Sequence, residues 1–491
     1  MNPLKKLFKQ TFIYGLATVL PRMLSFLLLP LYTGVLATAG YGEVSVIFAW
    51  FAIFNVVLAY GMETAFFRFY NGDDDPRLVV STSLWSLLLS TALFVLIGLF
   101  GLEAIASSVG IEARYIRFAI FILALDALVI IPFAWLRANE KPMRYAVVKI
   151  TNVAINLGLN IFFLLILPGM AEADPEGFMA RIYEPDFEIA YIFIAMLVAS
   201  GVTLLLMLRL YFQSDYRFDS RLWRRMMAYA APVLIAGIAF TVNEVANRIL
   251  LDELLPQDTA RSEVGKYAAC LKLALFMTLF GTAFRMGIEP FFFSHAKSEN
   301  PQKTYAQITN YFVILGSVIL LGVVVFADVL KVLFVRDEAY WDAMEIVPIV
   351  VLASFCLGIY HNLSVWYKIT DRTKFGAYIS SIGALLTLII NLALIDKIGY
   401  MASAWATLAA YGSMMLLSFF FGRRYYPIPY NMRKILFYGG LSILFSALSF
   451  YVFDRNLILG SLLLLLFLGL IYKMEGARLK SVFMNKPLPP K

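Results

Sequence analysis

The 491-residue chain is 61% hydrophobic and only 15% charged, which leaves too few polar residues to clothe soluble domains. At roughly 20 apolar residues per membrane crossing, the composition corresponds to about fifteen crossings before loops are discounted. The net charge of +8 fits a nucleic-acid surface only if it gathers in one patch. The two cysteines, Cys270 and Cys356, lie inside apolar runs, and with two histidines in all neither a disulfide framework, a metal centre nor a cofactor is expected.

Apolar runs between charge clusters predict fourteen helices. They fall near 11–35, 43–66, 79–101, 115–136, 146–168, 189–212 and 228–251, then 265–290, 306–327, 342–367, 376–395, 400–421, 434–453 and 457–472. The first run lacks a small-residue cleavage site after a short apolar core, so it reads as a retained helix. Basic residues orient the set. Lys5, Lys6 and Lys9 share a side with Arg137, Lys141, Arg144 and Lys149, with Arg217, Arg221, Arg224 and Arg225, and with Lys368, Arg372 and Lys374. Arg423, Arg424, Arg433, Lys434 and the tail from Lys473 fall there too. The opposite side carries the acidic loop Glu172–Glu188. This is the positive-inside distribution, with both termini cytoplasmic. It spreads the positive charge over many segments and removes the nucleic-acid reading; anionic lipid headgroups account for the rest. The expected fold is an all-α polytopic membrane protein in the inner membrane of a bacterium.

An internal repeat divides the chain. An offset of 231 residues lays Trp135-Leu-Arg-Ala-Asn-Glu-Lys141 on Trp366-Tyr-Lys-Ile-Thr-Asp-Arg372, and Ala146, Leu157 and Asn160 on Ala377, Leu388 and Asn391. A weaker echo pairs Tyr41-Gly-Glu-Val44 with Val264-Gly-Lys-Tyr267. The repeated segments are six helices apart and share an orientation, which predicts parallel repeats. The expected organisation is a first lobe at 1–213, a second at 214–422, and a terminal pair of helices with a tail at 423–491.

Charges within the apolar runs are the candidate functional residues, because a charge at mid-membrane faces a cavity or a partner. Arg22 lies about 11 residues into the first helix, about 16 Å deep. Asp126 is near the middle of the fourth helix. Glu244 and Arg248 lie in the seventh, Lys272 in the eighth, and Glu63, Arg285 and Glu289 towards one end of the second and eighth. Arg22, Arg248, Lys272 and Arg285 are candidates for binding phosphate or carboxylate. Glu244/Arg248 and Arg285/Glu289 are each spaced i, i+4, so each also reads as a self-neutralising pair. Asn152, Asn156 and Asn160 form a stripe at helical spacing that reads as interhelical glue, and His361 with Asn362 reads as structural. Asp73-Asp74-Asp75 beside Gly72 and Pro76 reads as a solvated turn. The chain carries no phosphate-binding glycine loop, zinc-protease motif or nucleophile elbow.

The stretch Phe12-Ile-Tyr-Gly-Leu-Ala-Thr-Val-Leu-Pro21-Arg22, running on to Leu31-Tyr32 and Tyr41-Gly42-Glu43, resembles polysaccharide flippases. So do Gly61-Met-Glu-Thr-Ala-Phe-Phe-Arg68-Phe69, the stretch Thr370-Asp-Arg-Thr373-Lys374, and Asn391, Gly399 and Ala404-Trp-Ala-Thr407. The family is that of O-antigen and capsule lipid-linked oligosaccharide flippases, in the multidrug/oligosaccharidyl-lipid/polysaccharide exporter superfamily. The resemblance implies two six-helix bundles forming a V around a central cavity, plus two helices, working by alternating access. It implies an undecaprenyl-diphosphate-linked oligosaccharide as substrate, turned from the cytoplasmic to the periplasmic leaflet for polysaccharide or lipopolysaccharide assembly. Polymerase or other assembly proteins are the implied partners, with membrane lipids. Arg22 matches a cavity arginine that engages diphosphate in related flippases, and Arg248 matches one loosely. Gradient-driven transport in the superfamily makes Glu63, Asp126, Glu244 and Glu289 candidates for ion or proton coupling.

Three other readings compete. A drug or cation exporter of the same superfamily would have an acid-dominated cavity. A peptidoglycan-precursor flippase shares the phosphate logic. A membrane polymerase or glycosyltransferase would use sizeable outward loops bearing catalytic groups, whereas the longest one here is acidic with Arg181 as its base.

Overall fold

The computed structural model describes residues 23, 26–295, 299–370 and 372–483. Among the described residues, thirteen helices are long and apolar enough to cross a membrane. The short helix α1, Leu29–Val35, precedes them and is the end of the first predicted helix, most of which, with Arg22, lies outside the described residues. The crossings are α2 Thr38–Tyr70, α3 Pro76–Phe100, α4 Ala113–Ala138, α5 Pro142–Ala173, α6 Glu188–Phe212 and α7 Ser220–Leu254. They continue with α8 Ala260–Met286, α9 Pro301–Val325, α10 Glu338–Ile369, α11 Lys374–Ile398, α12 Tyr400–Tyr425, α13 Met432–Val452 and α14 Leu457–Gly476. This is a multi-pass membrane protein.

The helices overrun their apolar runs because polar signals just outside set their starts. Pro76, Pro142 and Pro301 stand at first-turn positions, where a missing N–H costs nothing. Asp75 caps α3 by accepting from the Arg77 N–H at 3.0 Å, and Asp219 caps α7 from Arg221 and Leu222 at 2.7 and 3.0 Å. Asp74 takes Arg225 in a two-pronged contact at 2.8 and 3.1 Å. The aspartate triplet is therefore a capping and docking turn. Along α3, Leu89, Leu93, Leu96, Ile97 and Phe100 form an exposed apolar face, the surface expected of a helix facing lipid.

The chain divides into two compact units. The first comprises 1–268 with 387–400, and the second 269–386 with 401–491. In the first, Met62, Phe66, Val79, Leu87, Ile131 and Met226 form a core that joins α2, α3, α4 and α7. In the second, Ile314, Leu321, Tyr438 and Phe467 bind α9 to α13 and α14, while Ala353, Cys356, Ala410 and Met414 join α10 to α12. Cys270 and Cys356 are both buried free thiols.

Two backbone approaches organise the first unit. Helix α2 breaks at Tyr60 and Gly61, both left-handed with φ of 33° and 74°, because a Cβ on Gly61 would come within 2.5 Å of the Ala230 carbonyl of α7. Helices α2 and α8 cross at Gly42 and Gly265, the two glycines matched by the weaker sequence echo. A Cβ on either would strike a carbonyl of the other helix, Arg261 or Thr38. Arg261 locks this crossing. It pairs with Glu43 at 3.2 Å and Asp252 at 2.9 Å and donates to the Val109 and Gly110 carbonyls at 3.2 and 3.1 Å.

The 231-residue repeat has a structural counterpart in each copy. The Lys141 N–H donates to Leu136 O at 2.9 Å, and the Arg372 N–H to Tyr367 O at 2.8 Å. The Asn139 side chain donates to Trp135 O at 2.9 Å, and Thr370 Oγ1 to Trp366 O at 2.8 Å. Deeper in the helices, Asn160 accepts from the Tyr32 hydroxyl of α1 at 3.0 Å, and Asn391 donates to Asn247 of α7 at 2.8 Å. The matched asparagines thus tie α5 to α1 and α11 to α7.

Candidate functional site

The first unit encloses a polar cavity of about 550 Å³. Four helices supply its walls, each with one face. Helix α5 contributes Tyr145, Lys149, Asn152 and Asn156, spaced four, three and four residues apart. Helix α4 contributes Asp126, Val129, Ile130, Phe133 and Arg137. Helix α6 contributes Met196, Ala199, Ser200 and Thr203, and α2 adds Asn55 and Glu63. Spacings of three and four keep side chains on one side of a helix, so the cavity is written as stripes in otherwise apolar segments.

Charges inside it are balanced. Arg137 pairs with Glu63, and their side chains remain 34% and 43% exposed, open to the cavity. The Arg137 guanidinium also lies 4.8 Å from the centre of the Phe67 ring. Asp126 accepts a 2.7 Å hydrogen bond from Ser200 of α6. Lys149 rests over the Phe133 ring at 4.2 Å, and it lines the same cavity as Asp126. Asn152 donates to Thr203 at 3.0 Å, and Asn156 accepts from Asn160 at 2.6 Å. Asn152 and Asn160 of the asparagine stripe thus bond to other helices, Asn156 bonds within α5, and Asn152 and Asn156 also line the cavity.

Two residues read from sequence as loop bases belong to this site. Arg137 lies in the last turn of α4, and Lys149 lies well inside α5 because Pro142 starts that helix ahead of its apolar run. The discoverable signal was the stripe of Tyr145, Lys149, Asn152 and Asn156, since a lysine in register with two asparagines marks a face.

Of the predicted site residues, the structure brings Glu63 and Asp126 together in this cavity. Arg248 is half-buried on α7; its Nε is buried without a hydrogen-bond partner among the described residues. Glu244 is exposed on the same helix. Lys272 is half-buried and begins a 3-10 turn, Lys272–Ala274, that interrupts α8. Arg285 lies 3.5 Å from the His361 ring nitrogen and lines, with Asn362, Ser364 and Lys368, a small crevice of the second unit. This contact brings His361, structural by its sequence setting, against a candidate base. The side chain of Glu289 lies outside the described residues, as does Arg22.

A family model described as polysaccharide biosynthesis protein matches residues 7–280, and a MatE model matches residues 232–393. No curated protein sequence matches the chain. Among solved structures, the chain is similar to the lipid II flippase MurJ in an inward closed conformation. The TM-score is 0.74 at 14% identity, covering 94% of this chain and 99% of that one. It is also similar to an inward-facing multidrug resistance MATE family transporter of the MOP superfamily, with a TM-score of 0.63 at 13% identity over 84% of this chain and 94% of that one. A Vibrio cholerae MATE transporter gives 0.56 at 15% identity over 86% and 98%. Identities this low establish the fold, which is that of MOP-superfamily flippases and transporters.

Proposed function

The chain belongs to the polysaccharide biosynthesis protein family, and from that premise we propose that it flips an undecaprenyl-diphosphate-linked oligosaccharide across the bacterial inner membrane. The lipid-linked glycan would pass from the cytoplasmic to the periplasmic leaflet by alternating access, for polysaccharide or O-antigen lipopolysaccharide assembly, with assembly proteins such as a polymerase downstream. Both termini lie in the cytoplasm in this reading. The lobes are 1–213 and 214–422, with 423–491 as the appended pair and tail.

The observation that carries the reading is the balanced polar cavity within membrane-spanning helices. A cation exporter is served by an excess of carboxylate, whereas here Arg137 and Lys149 match Glu63 and Asp126. A lumen of this kind suits a zwitterionic or hydroxylated passenger better than a cationic one. Arg22, Arg248, Lys272 and Arg285 are the proposed diphosphate contacts, arginine being the side chain that grips phosphate in two places. Glu63, Asp126, Glu244 and Glu289 are the proposed sites of ion or proton coupling.

Cells lacking the protein should accumulate a lipid-linked glycan in the inner leaflet and lose the matching surface polysaccharide. Arg22→Ala should reproduce that loss while the protein still inserts; normal surface polysaccharide would remove Arg22 from the phosphate site. Rescue of a strain lacking its lipid II flippase, without any effect on surface polysaccharide, would transfer the assignment to peptidoglycan precursors.

A further inference from the structure

We propose that the cavity between α2, α4, α5 and α6 is a sugar subsite, receiving the hydroxylated head of the glycan and not its diphosphate. The inference rests on the flippase reading for the identity of the passenger, but its chemistry stands on the cavity alone.

Charge decides against phosphate. Arg137 already holds Glu63, and the Asp126 carboxylate lines the same cavity as Lys149. A diphosphate entering here would have to displace the Glu63 carboxylate from Arg137 and then stand beside it and Asp126 in a medium that screens poorly. A neutral polyol meets no such penalty. It needs donors and acceptors alternating at short range, because every buried hydroxyl must be satisfied.

The Asp126–Lys149 pair offers that alternation. Asp126 is anchored by Ser200, which leaves its carboxylate lone pairs to spare. The Lys149 ammonium rests on the Phe133 ring and not on the carboxylate. Sugar hydroxyls entering the cavity donate to Asp126 and accept from Lys149, and both bonds are charge-assisted. Asn152 and Asn156 continue the polar wall one and two turns along α5. Tyr145, whose ring meets that of the buried Phe133 edge-on at 5.2 Å, supplies apolar surface for the C–H face of a sugar ring. About 550 Å³ lies within the range of small-molecule sites.

The test uses full-length protein in lipid nanodiscs, with Cys270→Ser and Cys356→Ser, and a reporter thiol introduced by Met196→Cys, which lines the cavity and carries no proposed sugar contact. The probes are the methyl glycosides of glucose, galactose, mannose and N-acetylglucosamine, with inorganic pyrophosphate as the anionic comparison. We expect at least one glycoside at high concentration to slow maleimide labelling several-fold, and pyrophosphate to leave it unchanged. The expected protection disappears in Asp126→Asn with Lys149→Met. Should the substituted proteins fail to fold, hydrogen exchange of the unsubstituted chain gives the same answer, with glycoside-dependent slowing across 145–156. Protection by pyrophosphate alone overturns the proposal in favour of an anion site, and protection by no probe overturns it outright. Surface polysaccharide in complemented cells is scored separately. Glycan export without glycoside protection sinks the subsite and spares the flippase, whereas protection without export sinks the flippase and leaves the subsite standing.

Discussion

Replacing Lys149 by methionine keeps most of the side-chain volume and removes the charge. Two losses follow. The ammonium–ring contact with Phe133 contributes about 0.5–1 kcal/mol. Asp126 then keeps only its Ser200 hydrogen bond as a described compensation for its charge. Breaking a fully buried pair costs about 3–5 kcal/mol, but this one borders an open cavity and retains that hydrogen bond, so about 1–3 kcal/mol is the appropriate range. Lys149→Met should therefore destabilise by about 1.5–4 kcal/mol by adding these two ranges. Adding Asp126→Asn should return about 1–2 kcal/mol, because the uncompensated carboxylate is gone. The assay is reversible unfolding in mixed micelles of increasing denaturing-detergent fraction, run on wild type, both single variants and the double. Additivity within about 0.3 kcal/mol would show that the two residues do not interact, and the reading of the cavity as charge-balanced would fail.

Three further outcomes follow from the geometry. Gly61→Val places a branched side chain at φ 74° against the Ala230 carbonyl; folded yield should fall sharply, with Gly61→Ala intermediate, in a detergent size-exclusion assay. Asn391→Leu removes the donor to the buried Asn247 Oδ1, whose amide nitrogen still donates to Tyr267, and should cost about 1–3 kcal/mol of unfolding free energy in the same micelles, more than the roughly 0.6 kcal/mol average for a membrane hydrogen bond. Asp219, outside the membrane segments, is held below the usual carboxylate range by the Leu222 and Arg221 N–H groups. A depressed folded pKa stabilises above the unfolded value of about 3.9 and is lost as pH falls through the folded one. Hydrogen exchange at 220–224 should thus quicken in Asp219→Ala at neutral pH, and the difference from wild type should vanish in acid.

The crossings were legible because a membrane helix needs about 20 apolar residues and little else. Their ends were not, since Pro142 and the caps at Asp75 and Asp219 extend helices into polar sequence that hydropathy assigns to loops. The repeat was legible in the polar positions of a turn, and the matched Leu136/Lys141 and Tyr367/Arg372 hydrogen bonds give those matches a physical basis. Half of the cavity was legible as well. Glu63 and Asp126 stand out as acids in apolar runs, but Arg137 and Lys149 sit near run ends, where the positive-inside rule already explains a base. Only the azimuth of Lys149, in register with Asn152 and Asn156, separates a cavity base from a topological one. No periodicity reveals that Asp126 and Lys149, on different helices, line one cavity.

The central claim is movement of a lipid-linked glycan, and reconstitution tests it most directly. Purified protein in liposomes loaded with undecaprenyl-diphosphate oligosaccharide from the host should raise the rate at which inner-leaflet glycan becomes accessible to an impermeant lectin or glycosidase. The accessible fraction should climb well beyond the outer-leaflet share, and Arg22→Ala should abolish the gain. Accessibility unchanged from protein-free liposomes, with the same preparation exporting a cationic drug, would contradict the account.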